Sequence, residues 1–403
     1  MQHKQIKSSA SNRSLFFERI AQTSGFPLAL EITDAQNEYL IDKNGRKILD
    51  LICGISVSAL GHNHPKVVQA VQEQAGKYMH TMVYGEFVLA PQVKLAEELT
   101  DLLPEGLDAV YYGSSGSEVI EGALKLAVKA TGRRKIIAAS RAYHGSTTGA
   151  MSLMSDQKRV APFAPHVNHV RHIEYNNPQD LDRIDTDTAA VIMETIQAES
   201  GVKAADIDYM RALRKKCDET GALLIFDEIQ AGMCRTGRFF AFEHFGIQPD
   251  ILVLSKAFGG GMPLGALVSS QELLHVFTAN PILGHITTFG GHPVSCAAGL
   301  ASLRIMRDER LWDRAARLSA CLDPLSAHNK VKEFRKFGFW AAVDLGSMDL
   351  VLKVVEKALK KGMLVDWFLF NDHSLRLCPP LIIGEDVLRD AIDGLLEILD
   401  ELH

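Results

Sequence analysis

Three short apolar runs in this chain each end on residues able to do chemistry. Ala109–Tyr112 leads into Gly113-Ser114-Ser115-Gly116-Ser117-Glu118, and helical apolar spacing follows at Ile120, Ala123, Leu124, Ala127 and Val128. A loop of small residues feeding a helix N-terminus offers free backbone N–H groups and the positive end of the helix dipole, both suited to a phosphate. Ser115 and Ser117 add hydroxyl donors, although the same pattern also serves as a plain N-cap after a tight turn. Leu223–Phe226 runs into Asp227-Glu228-Ile229-Gln230. A carboxylate that closes a buried strand needs a partner: a ligand, a structural arginine or the N–H groups of the next turn. Ile251–Leu254 runs into Ser255-Lys256, with the glycine-rich stretch Gly259 to Gly265 just beyond. A lysine at a buried strand end is desolvated, which lowers its ammonium pKa and leaves a neutral amine to attack a carbonyl. The plainer alternative is a lysine that snorkels to solvent.

Taken together, the three features meet the demands of one cofactor. Pyridoxal phosphate needs a phosphate anchor, an amine for imine formation and a carboxylate that keeps its pyridine nitrogen protonated.

Positioning these residues requires a layered framework. Pro65 to Met79, Pro91 to Leu103 and Ser117 to Thr131 carry helical apolar spacing. Ile136–Ala139, Ala189–Met193 and Ala266–Val268 add further short apolar runs between helical stretches. Buried runs alternating with helices argue for an α/β fold, a mainly parallel sheet covered by helices on both faces. In open sheets of this kind ligands sit beyond the carboxyl ends of the strands, where the three features fall. Tyr39–Ile41 and Ile48–Leu51, joined through Asp42 to Gly45, read as a hairpin. After Gly290 the pattern shifts to a helix over Val294–Met306, then to amphipathic helices and short strands. The expected division is an N-terminal segment with the hairpin (1–60), a large cofactor-binding domain (61–295) and a small α+β C-terminal domain (296–403). The first two dozen residues read as a mobile or docking arm.

Bulk properties narrow the class. The chain has 403 residues, 47% hydrophobic and 23% charged, with a net charge of −6, which suits a globular protein of two or three domains. An acidic balance without a basic stripe argues against a nucleic-acid partner. The six cysteines form no CxxC pair, and no His/Cys cluster has metal-ligand spacing, so no metal site is expected. Few cysteines in a long chain point to a reducing compartment. Met1 to Arg19 lacks the apolar core of a secretory leader, and no run reaches the ~20 apolar residues of a membrane helix. The expectation is a cytoplasmic protein without a membrane partner.

The segments LLIFDEIQAGMCRTG (Leu223 to Gly237) and PDILVLSKAFGGGMPLG (Pro249 to Gly265) closely resemble the class III aminotransferases, a branch of the fold-type I pyridoxal-phosphate transferases. The likeness spans roughly Tyr39 to Ile383, and within the branch it is greatest to acetylornithine and ornithine aminotransferases. The resemblance implies that Lys256 carries pyridoxal 5'-phosphate as a Schiff base and moves the proton between substrate and cofactor. It makes Asp227 the partner of the pyridine nitrogen, Gly116 and Ser117 phosphate ligands, Tyr143 the ring-stacking aromatic and Gln230 the residue near the ring oxygen. It also implies that Thr288 reaches a phosphate across a homodimer with shared active sites. Arg376 would hold a substrate carboxylate, a task that suits a planar bidentate donor, and Glu199 would pair with that arginine until a dicarboxylate arrives. The implied substrates are an amino donor and a 2-oxo acid, with 2-oxoglutarate the expected acceptor.

Four positions depart from the family pattern. Ser146 stands where arginine often follows Tyr/Phe-His-Gly and helps bind a substrate carboxylate. Thr195 and Ala198 replace a usual proline and glycine in the loop carrying Glu199, and His292 replaces a common asparagine. An acetylornithine/ornithine-like donor is therefore weighed against an ω-amino-acid or amine transaminase outside arginine metabolism. An aminomutase or racemase of the same fold is a further reading. A non-catalytic binding protein is the reading from another class, and the retained Lys256, Asp227 and Gly116-Ser117 set speaks against it.

Overall fold

The computed structural model describes residues 11–402. Residues 1–10 of the expected arm lie outside the described residues. The first sheet opens with β1 (Ile32–Gln36), β2 (Tyr39–Asp42) and β3 (Lys47–Asp50). β2 and β3 form the hairpin read from the sequence, with Tyr39 opposite Leu49. Asp42 Oδ1 accepts from the Asn44 and Arg46 N–H groups at 2.8 and 3.0 Å, and Gly45 takes a φ of +77°. The carboxylate satisfies amides that the chain reversal leaves free, and the glycine accepts the left-handed turn.

The central part contains β4 (Ala109–Gly113), β5 (Lys135–Ala139), β6 (Val170–Ile173), β7 (Thr188–Glu194), β8 (Ile196–Gln197), β9 (Lys203–Ala204), β10 (Leu223–Asp227), β11 (Ile251–Leu254) and β12 (Gly265–Ser269). A seven-stranded sheet runs in the order β4-β12-β11-β10-β7-β5-β6. β6, β5, β7, β10 and β11 pair in parallel, whereas β12 is antiparallel to both β11 and β4. β8 and β9 form a separate two-stranded ribbon. Successive residues face opposite layers: Leu224 and Phe226 enter one apolar cluster while Ile225 enters the other, and Leu252 and Leu254 alternate with Ile251 and Val253 in the same way. Both faces are covered, so every residue of these runs is apolar, and each full burial is worth roughly 1.5–3 kcal/mol. β6 was not visible in the sequence. It is an edge strand with Arg171 exposed, and an edge does not demand an apolar run.

Helix Gly116–Thr131 lies on the sheet against β11 and β12. Helix Pro293–Asp308 packs on Pro65–Lys77 and Ala90–Thr100, and the division expected between residues 295 and 296 falls inside it. Gly260 sits against that helix with a φ of +60°, and a Cβ there would stand 2.8 Å from the Ala298 carbonyl oxygen. Only glycine allows that approach.

The C-terminal part holds β13 (Glu333–Lys336), β14 (Ala341–Asp344), β15 (Met363–Leu364), β16 (Asp366–Trp367) and β17 (Ser374–Leu377). Four of these make a sheet in the order β13-β14-β17-β16, while β15 pairs in parallel with β3. The chain's first sheet is thereby completed by a strand from near its end, and β16 follows directly after the join. No helix among the described residues is long and apolar enough to cross a membrane.

Candidate active site

The carboxyl ends of β10 and β11 bring Asp227 and Lys256 to one cavity of ≈170 Å³, together with Ser117, Tyr143, His144 and Gln230. Lys256 follows β11 with a φ of +50°, a left-handed conformation that costs a residue with a side chain roughly 1–2 kcal/mol. Strain of this kind persists where the surrounding structure imposes it, commonly at functional sites. Burial pushes the Lys256 ammonium down to about 8, and Arg376 pushes the same way, against the opposing pull of Glu199, Asp227 and Glu194. The neutral amine is therefore more accessible near neutral pH than an ordinary lysine's, the direction the strand-end position predicts.

Asp227 is held from two sides. Its Oδ1 accepts the Ile229 N–H at 2.9 Å, and its Oδ2 lies 2.7 Å from His144 Nδ1. His144 is buried, and its Nε2 has no partner among the described residues. Glu194, at the end of the neighbouring β7, accepts from the Tyr143 and Ala198 N–H groups at 3.0 and 2.9 Å. Burial, reinforced by Asp227 and opposed by His144, raises Glu194 to about 7. Two carboxylates and an imidazole thus share the floor of the cavity.

At the other side helix Gly116–Thr131 points its first turn into the cavity. Ser115 caps it by accepting from the Glu118 N–H at 3.3 Å, while Glu118 Oε2 receives the Ser114 N–H and hydroxyl, each at 2.6 Å. Ser115 is therefore occupied as the N-cap, whereas Gly116 and Ser117 line the cavity. Gly145, with a φ of +127°, touches Ser117 so closely that a Cβ would stand 2.2 Å from its Oγ. An anion-binding helix end, an aromatic side chain, a buried carboxylate and a desolvated amine around one cavity fit the phosphate, ring, ring nitrogen and aldehyde of pyridoxal phosphate.

A larger cavity of ≈590 Å³ shares Tyr143, Gln230 and Lys256 with the first and reaches Arg376. Arg376 Nη1 and Nη2 donate to Glu199 Oε1 and Oε2 at 3.0 and 2.9 Å, a fork-to-fork pair in which both residues are buried. Nη2 also donates to the Trp367 carbonyl at 2.7 Å, and the guanidinium lies 4.7 Å from the Phe368 ring centroid. Burial pulls Glu199 upward, yet Arg376, the Leu369 N–H, Lys256 and Gln230 outweigh it, so the carboxyl sits below its usual value. Gln230 Nε2 donates to Glu199 Oε1 at 3.1 Å and so links the two cavities. Ile55 and Ser56 enter this region on a strained turn, with φ values of 63° and 66°.

Of the residues singled out in the sequence, Gly116, Ser117, Tyr143, Asp227, Gln230 and Lys256 meet in the smaller cavity, and Glu199 and Arg376 in the larger. Thr288 is exposed and lines neither. Despite Thr195 and Ala198, the loop after β7 delivers Glu199 to Arg376. Ser146 Oγ lies 3.1 Å from the Tyr143 hydroxyl. His292 stacks on His80 at 5.5 Å, a packing position outside both cavities. Sequence reasoning missed His144, Glu194 and Asp366. His144 was in view beside Tyr143, but nothing local showed that it faces Asp227. Asp366, on a two-residue strand, gave no signal at all.

This fold and this cavity define a pyridoxal-phosphate enzyme of fold type I. A family model, Aminotransferase class-III, matches residues 20–399, and the chain belongs to that family. It is 37% identical to an acetylornithine aminotransferase of Methanocaldococcus jannaschii, over 93% of this chain and 94% of the relative. It is 44% identical to a [LysW]-aminoadipate semialdehyde transaminase of Deinococcus radiodurans, over 91% and 85%. The fold matches an ornithine aminotransferase structure from Toxoplasma gondii with a TM-score of 0.88 and 29% identity, over 96% of this chain and 93% of that one. The protein is thus a transaminase whose cofactor is pyridoxal phosphate and whose substrates are an amino donor and a 2-oxo acid.

Proposed function

We propose that this enzyme moves an amino group from an acetylornithine/ornithine-like or other ω-amino donor to 2-oxoglutarate, with Lys256 as the residue that bears the cofactor. The observation that carries this reading is the single connected cavity in which Lys256 stands beside the Arg376–Glu199 pair. Bound pyridoxal phosphate supplies an electron sink that stabilises the carbanion left when a proton departs from the donor carbon. The Lys256 amine, which lines this cavity, would take and return that proton. Asp227, fixed by Ile229 N–H and His144, would be the carboxylate that keeps the ring nitrogen protonated. Gly116 and Ser117 would hold the phosphate, and Tyr143 and Gln230, which line the same cavity, would contact the ring. Arg376 grips a carboxylate of the 2-oxo acid, and Glu199 neutralises it when no such carboxylate is present.

Ser146 and the apolar wall favour a donor from the wider ω-amine class. The larger cavity is walled by Leu28, Leu30, Ile52, Ile55, Leu364 and Leu369, and its charged lining residues stand at the Lys256–Arg376 end. The test is the absorbance of the bound cofactor after each of N-acetylornithine, ornithine and a panel of ω-amines is added alone. A band bleached by one donor and restored by 2-oxoglutarate names the donor class. No change with any amine, or no need for a second oxo substrate as in an aminomutase, would sink the reading.

A homodimer is part of this proposal. Met79, Phe87, Val88, Ile282, Leu283 and Phe289 are exposed large apolar side chains on segments joined by the His80–Phe289 contact at 5.1 Å, and exposed Thr288 lies among them. Apolar surface of that kind suits burial against a second copy. The cytoplasm is the assigned compartment, since all six cysteines are free and buried.

A further inference from the structure

Lys135 opens β5 and Val170 opens β6, and the two strands pair in parallel. Their amino ends therefore lie side by side, away from the carboxyl ends that carry Asp227 and Lys256. A hollow of ≈440 Å³ there is lined by Arg133, Arg134, Lys135, His169, Arg171 and a lone acid, Asp187. Lys135 has an acid of its own, Asp185 at 2.7 Å. Among the described residues Arg133, Arg134 and Arg171 form no ion pair with any carboxylate. Three guanidiniums thus meet in one concave place on a chain whose net charge is −6.

Structural duties explain only part of this cluster. Arg133 follows Gly132, whose φ of +68° closes helix Gly116–Thr131. Its Nη1 donates to the carbonyls of Thr188, Thr220 and Gly221 at 3.0, 2.9 and 3.0 Å. Those bonds fix the half-buried guanidinium, but the acceptors are neutral and leave its charge in place. Arg171 is exposed on edge strand β6, where a cation discourages pairing with a stray strand. Neither duty calls for Arg134, which is exposed, or for the meeting of all three in a hollow. The helix end contributes roughly half a negative charge and Asp187 a whole one, so three guanidiniums leave a surplus of about +1.5.

We propose that this hollow binds the phosphate group of a small soluble molecule, at a site separate from the catalytic cavities. A phosphate carries about 1.5 to 2 negative charges and three acceptor oxygens, which match the surplus and the planar forks of the arginines. A single carboxylate would leave part of the surplus unmet. Arg133 is already held by three carbonyls, so it meets the anion with little further loss of side-chain freedom. Arg134 and Arg171 supply donors from the segments on either side. The hollow has the volume of a small-molecule site, not the flat form of a protein contact. The His169 imidazole is the one ring among the described residues lining it, so a nucleobase finds no aromatic platform. The ligand class is therefore a phosphate or diphosphate on an aliphatic body.

The test uses the holoenzyme, in which the cofactor fills its own site, and pyrophosphate as the probe. Titration calorimetry should show one pyrophosphate bound per chain, with affinity falling about tenfold as ionic strength rises from about 20 to about 200 mM. Arg134→Ala and Arg171→Ala should each weaken binding about fivefold and together about twentyfold, the scale of exposed charge pairs. Both side chains are exposed, so these variants should keep the wild-type cofactor absorbance and turnover. Asp187→Asn should tighten binding about twofold. No saturable binding to wild type, or a double variant that binds like wild type, would overturn the site. Pyrophosphate that alters the absorbance of the bound cofactor would place the binding in the catalytic cavity and overturn it equally. ADP that binds far more tightly than pyrophosphate would overturn the aliphatic ligand class. A polyglutamate peptide that binds where pyrophosphate does not would give this face to an acidic protein instead.

Discussion

At the end assigned to the cofactor, side chains come from adjacent strand ends of one sheet: Glu194 after β7, Asp227 after β10 and Lys256 after β11. At the substrate end they come from remote pieces of chain. Glu199 belongs to the loop after β8, while Asp366 and Arg376 belong to the C-terminal sheet, and Leu28 and Leu30 close the wall from the N-terminal segment. The first construction is rigid and local, since neighbouring strand ends cannot shift independently. The second depends on packing between distant segments, and so can be retuned without disturbing the cofactor chemistry. The charge balance follows the same division, with one amine facing the acids at the floor of the first cavity and one arginine flanked by two acids in the second.

Substitutions at the two ends should separate in size and in the half-reaction they affect. Lys256→Ala should have the largest effect, lowering turnover by about 10³-fold or more and abolishing the amine-sensitive absorbance of the bound cofactor. A variant that turns over at wild-type rate would remove Lys256 from the mechanism. Asp227→Asn should follow, with a loss of about 10²–10⁴-fold in the rate of the donor half-reaction. Its affinity for glutarate, a dicarboxylate with no oxo or amino group to react, should stay near wild type if the two ends are independent. Arg376→Ala should raise KM for 2-oxoglutarate by about 10–100-fold, the worth of hydrogen bonds to a charged partner. The amine half-reaction, followed as bleaching, should change far less. Equal losses in both half-reactions would merge the two ends into one unit.

The smallest effect concerns stability. Burial raises Glu228 to about 8 and Glu194 to about 7, and the Glu228 carboxyl accepts the Ala241 N–H at 2.8 Å. Both folded values lie above the ordinary 4.5, so the folded state holds protons that the unfolded chain has already released. Their contribution to stability is complete below that ordinary value and is lost as pH climbs through about 7 and then about 8. Tm should therefore decline over this window, and Glu228→Gln should flatten part of the decline. A slope unchanged in Glu228→Gln would assign the effect elsewhere.

Strands β10 and β11 were legible because burial on both faces leaves no choice but an unbroken apolar run, and a polar residue ending such a run stands out. The hairpin was legible through its Asp42–Gly45 turn. The completion of that sheet by β15 was not, because a two-residue strand has no period to read. Arg376 and Glu199 came into view only through family resemblance. Their bidentate contact, His144 against Asp227 and Asp366 against Arg376 lay beyond local pattern.

The sequence by itself determined the cofactor chemistry and the family, because the groups that chemistry needs stand in contiguous motifs at strand ends, where neighbours in sequence remain neighbours in space. Tertiary structure alone decided the charge state of the substrate corner. Glu199 and Arg376 are 177 residues apart in the chain, and the fold sets both their 2.9 Å approach and the burial of Asp366 beside them. Coulomb and desolvation energies depend on distance and on exclusion of water, and neither is a property of any one segment.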